Sequence, residues 1–442
     1  MLTKKSRNAW IDACYQHWTP SAAKLYRIAN TGVEQSANDC LVTDHRGTEY
    51  LDCACSYGIF LIGHGNPVVR AAAAAQLGTL AAVPAGTVST EQIRLTEKLR
   101  EIVPGEWGQV RYTMTGAEAI EQVLRYVLAT RAPKNRIVVM QQSYHGKTLA
   151  TMNILGQQHA SNELGLNRQD VVFIPYGDFQ ALESAITTDT AAVFIEPILG
   201  GAYLRLPPAG YLKRIRERCS AAGALLVADE IQTAFGRCGK WFAIEYEDVV
   251  PDIIVLSKGL TGGYAAIGAI LYGAHLSHHS AMDTTSQGGQ PYACSVALAA
   301  IEVLTSQRLI EKSKAAANAL GTGLQRLANK YPTVIKDAPA IGLMTGIRLN
   351  GAVYEALICT ALGRKGIHAG HSMNEKAKQP VLRFYPPLTI TLAQVEHVLT
   401  ELEQVLDSVS SQPRWKLKLL SGVISNLYKL PYAILPKGSK DV

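Results

Sequence analysis

Residues 224–259 read ALLVADEIQTAFGRCGKWFAIEYEDVVPDIIVLSKG, and this stretch decides the fold. Two continuous apolar runs, Ala224–Ala228 and Ile253–Leu256, stop abruptly at charged residues. The first gives way to Asp229-Glu230 and the second to Ser257-Lys258. A strand with one face in water alternates apolar and polar residues; an unbroken apolar run reads as a strand covered on both faces. The same signature recurs at Arg136–Met140 (RIVVM), Ala191–Ile195 (AAVFI) and Ala266–Leu271. Between two of these runs, Gly210–Ala222 places Leu212, Ile215 and Cys219 at helical spacing. The pattern predicts a doubly wound α/β domain with a largely parallel sheet flanked by helices.

Outside that block the pattern changes. Residues up to about Gly63 read as strand-like and loop material around DHRGTEYLDC. A long helical stretch begins after Ala293, and a smaller mixed segment follows from about Thr333. The expected organisation is a large domain over residues 64–305 and a smaller α/β domain assembled from both termini, residues 1–63 and 306–410. Residues Asp407–Pro413 read as a linker, and 411–442 as a basic amphipathic tail.

The 442 residues are 48% hydrophobic and 18% charged, the balance of a globular enzyme rather than a disordered chain. The formal charge of +7 is local: Arg414, Lys416, Lys418, Lys429, Lys437 and Lys440 face only Asp441, which puts five net positive charges in the tail. A nearly neutral body with 7% aromatic residues does not suggest nucleic-acid binding. The eight cysteines include no CxxC pair, and they read as reduced, mostly buried thiols of a cytoplasmic protein, with no metal site. The N-terminal residues lack the apolar core of a signal peptide, and no apolar run reaches spanning length, so a soluble chain is expected. In the tail, Leu420, Val423, Ile424, Leu427 and Tyr428 share one helical face. That face fits docking on the chain's own small domain better than contact with a membrane or partner.

Ligands in open α/β sheets sit at the carboxyl ends of the strands. Three such ends carry Glu196, Asp229 and Lys258, so two carboxylates and an amine converge on one sheet edge. Beside them, Thr113-Met114-Thr115-Gly116-Ala117-Glu118 opens a helix with Ala117, Ile120, Leu124 and Val127 at helical spacing. A small hydroxyl- and glycine-bearing turn at a helix N-terminus offers free N–H groups to a phosphate.

With these residues in hand, the sequence resembles the class III aminotransferases, which include ornithine, acetylornithine and 4-aminobutyrate aminotransferases. The stretch from Leu226 to Gly268 is similar to the family signature DEVQxGxGRTG followed by PDI and SK. Further matches are TGAEA at Thr115–Ala119, Tyr144-His145-Gly146, Gly63-His64-Gly65-Asn66-Pro67 and Arg383 in RFYPPLTIT. The resemblance spans roughly residues 35–405. It implies the type I fold of pyridoxal-phosphate-dependent transferases, pyridoxal 5'-phosphate as cofactor, and a homodimer with shared active sites.

Residue by residue, it implies that Lys258 holds the cofactor as a Schiff base and shuttles a proton. Asp229 pairs with the pyridine nitrogen, Gln232 bonds the ring hydroxyl oxygen, and Tyr144 stacks on the ring. Thr115, Gly116 and Ala117 receive the phosphate, and His145 and Glu196 complete the cofactor site. The run Thr285-Ser286-Gln287-Gly288-Gly289-Gln290-Pro291 resembles the segment through which a partner subunit gives a hydroxyl to the phosphate, with Ser286 or Thr285 as donor. Arg383 matches the arginine that clamps a substrate carboxylate. Lys147 stands where acetylornithine-type members carry a second arginine, and Tyr57 lies in a shortened loop at the substrate side. In Glu196-Pro197-Ile198-Leu199-Gly200-Gly201-Ala202 the family's gating glutamate is replaced by Gly201. The implied reaction moves an amino group from an amino acid, ω-amino acid or diamine to 2-oxoglutarate or pyruvate. An aminomutase or racemase on the same fold is the alternative, and a non-catalytic scaffold is disfavoured by the intact Lys258 and Asp229.

Overall fold

The computed structural model describes residues 7–29, 32–156, 170–201, 203–283, 286–372, 379–424 and 431–435. Its centre is a seven-stranded sheet in the order Trp107–Thr113, Gly268–Gly273, Ile253–Leu256, Leu225–Asp229, Thr190–Ile195, Arg136–Met140 and Val171–Ile174. Only Gly268–Gly273 runs against its neighbours. Successive residues of each strand feed opposite faces. Ile137, Val139, Ala192, Phe194 and Val227 pack with Ile120, Val123 and Val127 of the helix Gly116–Arg131. Val138, Met140, Val193, Ile195 and Leu226 pack with Tyr211, Leu212, Ile215 and Cys219 of the helix Tyr211–Ala222. Covering both faces explains why these strands are apolar throughout. Each side chain so buried contributes roughly 1.5–3 kcal/mol.

Two strands of this sheet escape the sequence pattern. Trp107–Thr113 carries Gly108, Gln109 and Arg111 because it lies at the sheet edge and is only partly covered. Val171–Ile174, at the other edge, has four residues, too few to show a period.

Two smaller sheets flank the central one. Glu34–Asn38, Leu41–Asp44 and Glu49–Cys53 form an antiparallel meander, and Ile367–Ala369 adds in parallel with Ile367 opposite Leu51. Met344–Leu349 pairs with Ile335–Asp337, Ala340–Ile341 and Val381–Phe384. The N-terminal region also opens with two helices, Arg7–His17 and Pro20–Ala29, where strand and loop were expected. The first is weakly amphipathic, with only Arg7 and Ile11 buried, so its sequence carries little helical period.

Of the expected linker Asp407–Pro413, only Ser411–Pro413 connects two helices. The helix Leu392–Ser410 runs through Asp407, because Val405, Leu406 and Val409 continue its buried stripe and Tyr331 Oη donates to Asp407 Oδ1 at 2.6 Å. The tail then forms the helix Arg414–Ile424, which packs against Ala352–Arg364. Leu427 and Tyr428, expected on its apolar face, lie outside the described residues. Further on, Tyr432 stacks on Tyr15 at 3.8 Å and donates to Asp12 at 2.8 Å, fastening the segment to the N-terminal helices. Among the described residues no single helix is long and apolar enough to cross a membrane. No group of side chains there could hold a metal ion, and all eight cysteines are free.

Candidate active site

Three neighbouring strands deliver the chemistry. Asp229 ends Leu225–Asp229, Glu196 follows Thr190–Ile195, and Lys258 comes two residues after Ile253–Leu256. Asp229 is buried and satisfied on both oxygens: Ile231 N–H donates to Oδ1 at 3.1 Å, and His145 Nδ1 lies 2.7 Å from Oδ2. Burial pulls the His145 imidazole down, but its hydrogen bond to Asp229 and the charges of Asp229 and Glu196 together raise it overall. The pair therefore presents Asp229 as a buried carboxylate backed by a proton donor. Glu196 accepts from Tyr144 N–H at 2.7 Å and Gly200 N–H at 3.0 Å, which fixes two loops to one strand end. Its carboxyl is raised, chiefly by burial.

Burial also lowers the Lys258 ammonium, with Asp229 and Glu196 opposing the shift and Arg383 adding to it. Among the described residues no group forms a hydrogen bond or ion pair with Lys258 Nζ. The amine is therefore easier to deprotonate than an ordinary lysine, which is what an attacking amine needs.

The helix Gly116–Arg131 points its N-terminus at the same edge. Thr115 caps it, accepting from Glu118 N–H at 3.2 Å, and first-turn N–H groups remain available to an anion. Gly116 presses on the Asp229–Gln232 turn so closely that an added Cβ would sit 2.7 Å from Ile231 Cδ1. Gly146, at φ +115°, lets the Tyr144–Gly146 loop lie over Ala117; a Cβ there would come within 2.6 Å of the alanine methyl. The start of this helix, the Asp229–Gln232 turn and the Tyr144–Gly146 loop are thus packed together. Among the described residues, buried His145 Nε2 has no hydrogen-bond partner. An anion cradle, a buried carboxylate, an exposed tyrosine ring and a depressed lysine fit a phosphorylated aromatic aldehyde.

On the substrate side, Arg383 is buried, with 2% exposure, yet among the described residues it pairs with no carboxylate. Its Nη1 donates to the Gly201 carbonyl and its Nη2 to the His371 carbonyl at 2.6 Å, while the Tyr57 ring lies 4.5 Å from its Cζ. A main-chain oxygen of Gly201 therefore occupies the place that the missing glutamate side chain suggested would be empty. His371 stays neutral, pushed down to about 4 by burial and then by Arg383.

Gln232 sits between the two ends of the site. Its Nε2 donates to the Tyr57 carbonyl at 2.8 Å, and its Oε1 accepts from Gly201 N–H at 3.1 Å. Both loops that surround Arg383 are thereby tied to one amide. Lys147 is exposed, 6.0 Å from the Tyr144 ring centroid. Ser286 is exposed on the surface, its carbonyl accepting from Gln290 Nε2 at 3.3 Å; Thr285 lies outside the described residues.

Three contributors were missed from the sequence. His371 and Gly201 act through main-chain carbonyls, which carry no residue-type signal. The third is the turn Cys55–Gly58, where Cys55, Ser56 and Tyr57 have φ of 44°, 45° and 63° and Gly58 has 90°. A left-handed turn of non-glycine residues costs about 1–2 kcal/mol per residue. Asp52 offsets part of this: Oδ1 accepts from Ala54 and Cys55 N–H, and Oδ2 lies 2.9 Å from His64 Nε2. The strain aims Tyr57 at Arg383.

A doubly wound sheet with lysine, aspartate and an anion cradle at one edge defines a pyridoxal-phosphate enzyme of the type I fold. The chain belongs to the class III aminotransferases, whose family pattern it matches over residues 27–406, and it is a pyridoxal-phosphate-dependent transaminase acting on small molecules. It is similar to the ornithine aminotransferase of Toxoplasma gondii, with a TM-score of 0.83 at 25% identity, covering 93% of this chain and 97% of the other. A transaminase from the marine bacterium Virgibacillus gives a TM-score of 0.82 at 27% identity, covering 91% and 99%. The acetylornithine aminotransferase of Elizabethkingia anophelis shares the fold, with a TM-score of 0.76 at 24% identity over 92% and 100% of the two chains.

Proposed function

We propose that this protein transfers the amino group of an amino acid, ω-amino acid or diamine to an oxo-acid such as 2-oxoglutarate or pyruvate, with Lys258 as its reactive amine. The observation that carries this reading is the grouping of half-buried Lys258 with buried Asp229 and His145 at one edge of the central sheet. Pyridoxal phosphate, when bound there, supplies an aldehyde that condenses with amines and a ring that withdraws electrons.

The chain's own groups have separable tasks. Lys258 Nζ would be the amine that holds the cofactor and, once freed, a base able to take up and return a proton at the substrate carbon. Asp229, backed by His145, would hold the cofactor's nitrogen. First-turn N–H groups at Gly116 and Ala117, with the Thr115 hydroxyl, would bind its phosphate. Tyr144 and Gln232 would help hold it, while Glu196 fixes the Tyr144 loop and Gln232 ties the loops of Tyr57 and Gly201 together. Arg383, Lys147 and Tyr57 receive the substrate. Exposed Ser286, or Thr285, supplies a hydroxyl to the site of a second copy, which makes the working unit a homodimer. The large domain is taken as 64–305 and the small one as 1–63 with 306–410.

The purified protein should show the visible absorbance of lysine-linked cofactor, and the right amine should discharge it in the absence of any oxo-acid. Lys258→Ala should lack both the absorbance and the turnover. If the wild type keeps its absorbance against every amine yet interconverts a substrate without an oxo-acid, an aminomutase or racemase replaces this reading.

A further inference from the structure

The ring of Tyr57 is 47% exposed, so burial does not fix it over Arg383. Its backbone has to, and that backbone is strained: Cys55, Ser56 and Tyr57 all take positive φ, and glycine comes only at Gly58. Such a conformation persists only where its surroundings over-determine it. Gln232 holds the Tyr57 carbonyl at the far side of the turn. The near side converges on one carboxylate.

That carboxylate is Asp52, the last residue but one of the strand Glu49–Cys53. Its Oδ1 takes the N–H groups of Ala54 at 3.1 Å and Cys55 at 2.8 Å, and its Oδ2 lies 2.9 Å from His64 Nε2. Burial alone would raise this carboxyl, but His64 and the two N–H groups bring it below the ordinary aspartate range. Asp52 is thus an ionised acceptor turned toward the turn on one side and toward His64 on the other.

His64 is the fixed point of the arrangement. Its main chain exchanges two hydrogen bonds with Asp39, at 2.7 and 2.8 Å, and its side chain is 12% exposed. The Phe60 ring lies 4.1 Å from the imidazole, so the segment that returns from the turn rests on the same side chain. Beside it, Ile367–Ala369 runs parallel to Glu49–Cys53, with Ala369 opposite Cys53, and leads to His371, whose carbonyl accepts from Arg383. Neighbouring parallel strands thus send two loops to one guanidinium, and His64 braces the strained one.

We propose that His64, acting through Asp52, is a positioning residue: it keeps Tyr57 on the face of Arg383 and so sets how strongly the enzyme prefers amines that carry a carboxylate. The inference rests on the transamination reading above, with Arg383 receiving that carboxylate, and adds the residue that tunes it.

The test measures KM and kcat for paired donors of equal length, ω-amino acids and 1-aminoalkanes. Loss of the stacked ring from the guanidinium in His64→Ala should raise KM for the carboxylate-bearing donors by about three- to tenfold, with kcat and the plain amines within about twofold of wild type. His64→Gln, whose amide nitrogen can donate to Asp52 from nearly the place of imidazole Nε2, should restore KM. Tyr57→Ala should reproduce the selective rise, and His64→Ala should add nothing to it, because both act through one contact. Equal losses for both donor classes, additive effects with Tyr57→Ala, or no rescue by glutamine overturn the proposal. If His64→Ala does not retain cofactor, Asp52→Asn takes its place, and loss of cofactor from both overturns it too. Titration calorimetry of the holoenzyme with pentanoate, which has the carboxylate and no amine, reads the same contact without turnover. Should no amine discharge the visible absorbance, the transamination reading fails, while pentanoate still decides the role of His64: a wild type that binds it no better than His64→Ala overturns that role.

Discussion

The cofactor end and the substrate end of this site are built on opposite principles. At the cofactor end every anchor stands at the end or start of a regular element. Asp229, Glu196 and Lys258 follow strands, and Thr115 to Ala117 open a helix. Their charges answer one another: His145 lies 2.7 Å from Asp229, and Glu196 holds two main-chain N–H groups. At the substrate end the central charge, Arg383, is held by loops. A left-handed turn, a carbonyl at Gly201 and a carbonyl at His371 surround it, and among the described residues no acid pairs with it. The first end is rigid because backbone ladders fix it; the second can be remodelled without disturbing the fold. A family sharing one cofactor and many substrates is expected to put its variation there.

The sharpest way to break this contrast is Asp229→Asn. Removing the carboxylate that His145 supports should lower kcat by about 10² to 10³, the usual cost of one preorganised electrostatic group. Phosphate anchoring should survive, so stopped-flow half-reactions should show slowed chemistry with cofactor still bound. A loss below about threefold would mean that the buried pair serves folding rather than turnover.

A smaller and more selective effect is expected from Arg383→Met. Hydrogen bonds to a charged group are worth about 1.5–3 kcal/mol. Donors that bear a carboxylate should therefore lose roughly 10- to 100-fold in kcat/KM, carried by KM, while uncharged amines should be nearly unaffected. Equal losses for both classes would place the arginine in the architecture, alongside its carbonyl partners, rather than in recognition.

The smallest effect concerns stability next to Asp229. Glu230 is fully buried, bonded to Thr233 Oγ1 and to Ile244 N–H at 2.8 Å, and burial pushes its carboxyl up to about 7. A carboxyl raised on folding binds its proton more tightly in the native state. The stability this gives is complete below the ordinary glutamate range and is lost as pH rises toward 7. Glu230→Gln lacks that dependence. Its thermal midpoint relative to wild type should therefore rise by a few degrees between pH 5 and pH 8, on the order of 2 kcal/mol. A difference that stays constant with pH would show that Glu230 does not titrate in the native range.

Much of the cofactor end was legible in the residues themselves. An apolar run that stops at a charge marks both the strand and its carboxyl end, so Asp229, Glu196 and Lys258 could be placed on one edge before any coordinates. The Thr115 cap and the helix after it were legible for the same reason. The edge strands Trp107–Thr113 and Val171–Ile174 were not, because edges are partly solvated or too short to impose a period. Nor were the N-terminal helices, whose few buried positions leave no stripe. Asp407–Pro413 reads as a linker, yet Val405, Leu406 and Val409 carry a buried face through Ser410.

The sequence by itself determined what depends on neighbours along the chain: strands covered on both faces, the residues at their ends, a capped helix with free N–H groups, and membership of a chemistry that needs lysine and aspartate at that spacing. Tertiary structure alone decided what surrounds Arg383. Tyr57, Gly201, Gln232 and His371 come from four separate parts of the chain, and two of them contribute only carbonyl oxygens, which every residue possesses. Local pattern encodes burial and element ends, because these follow from each segment's own periodicity. The contacts between loops follow only from the packing of the whole chain.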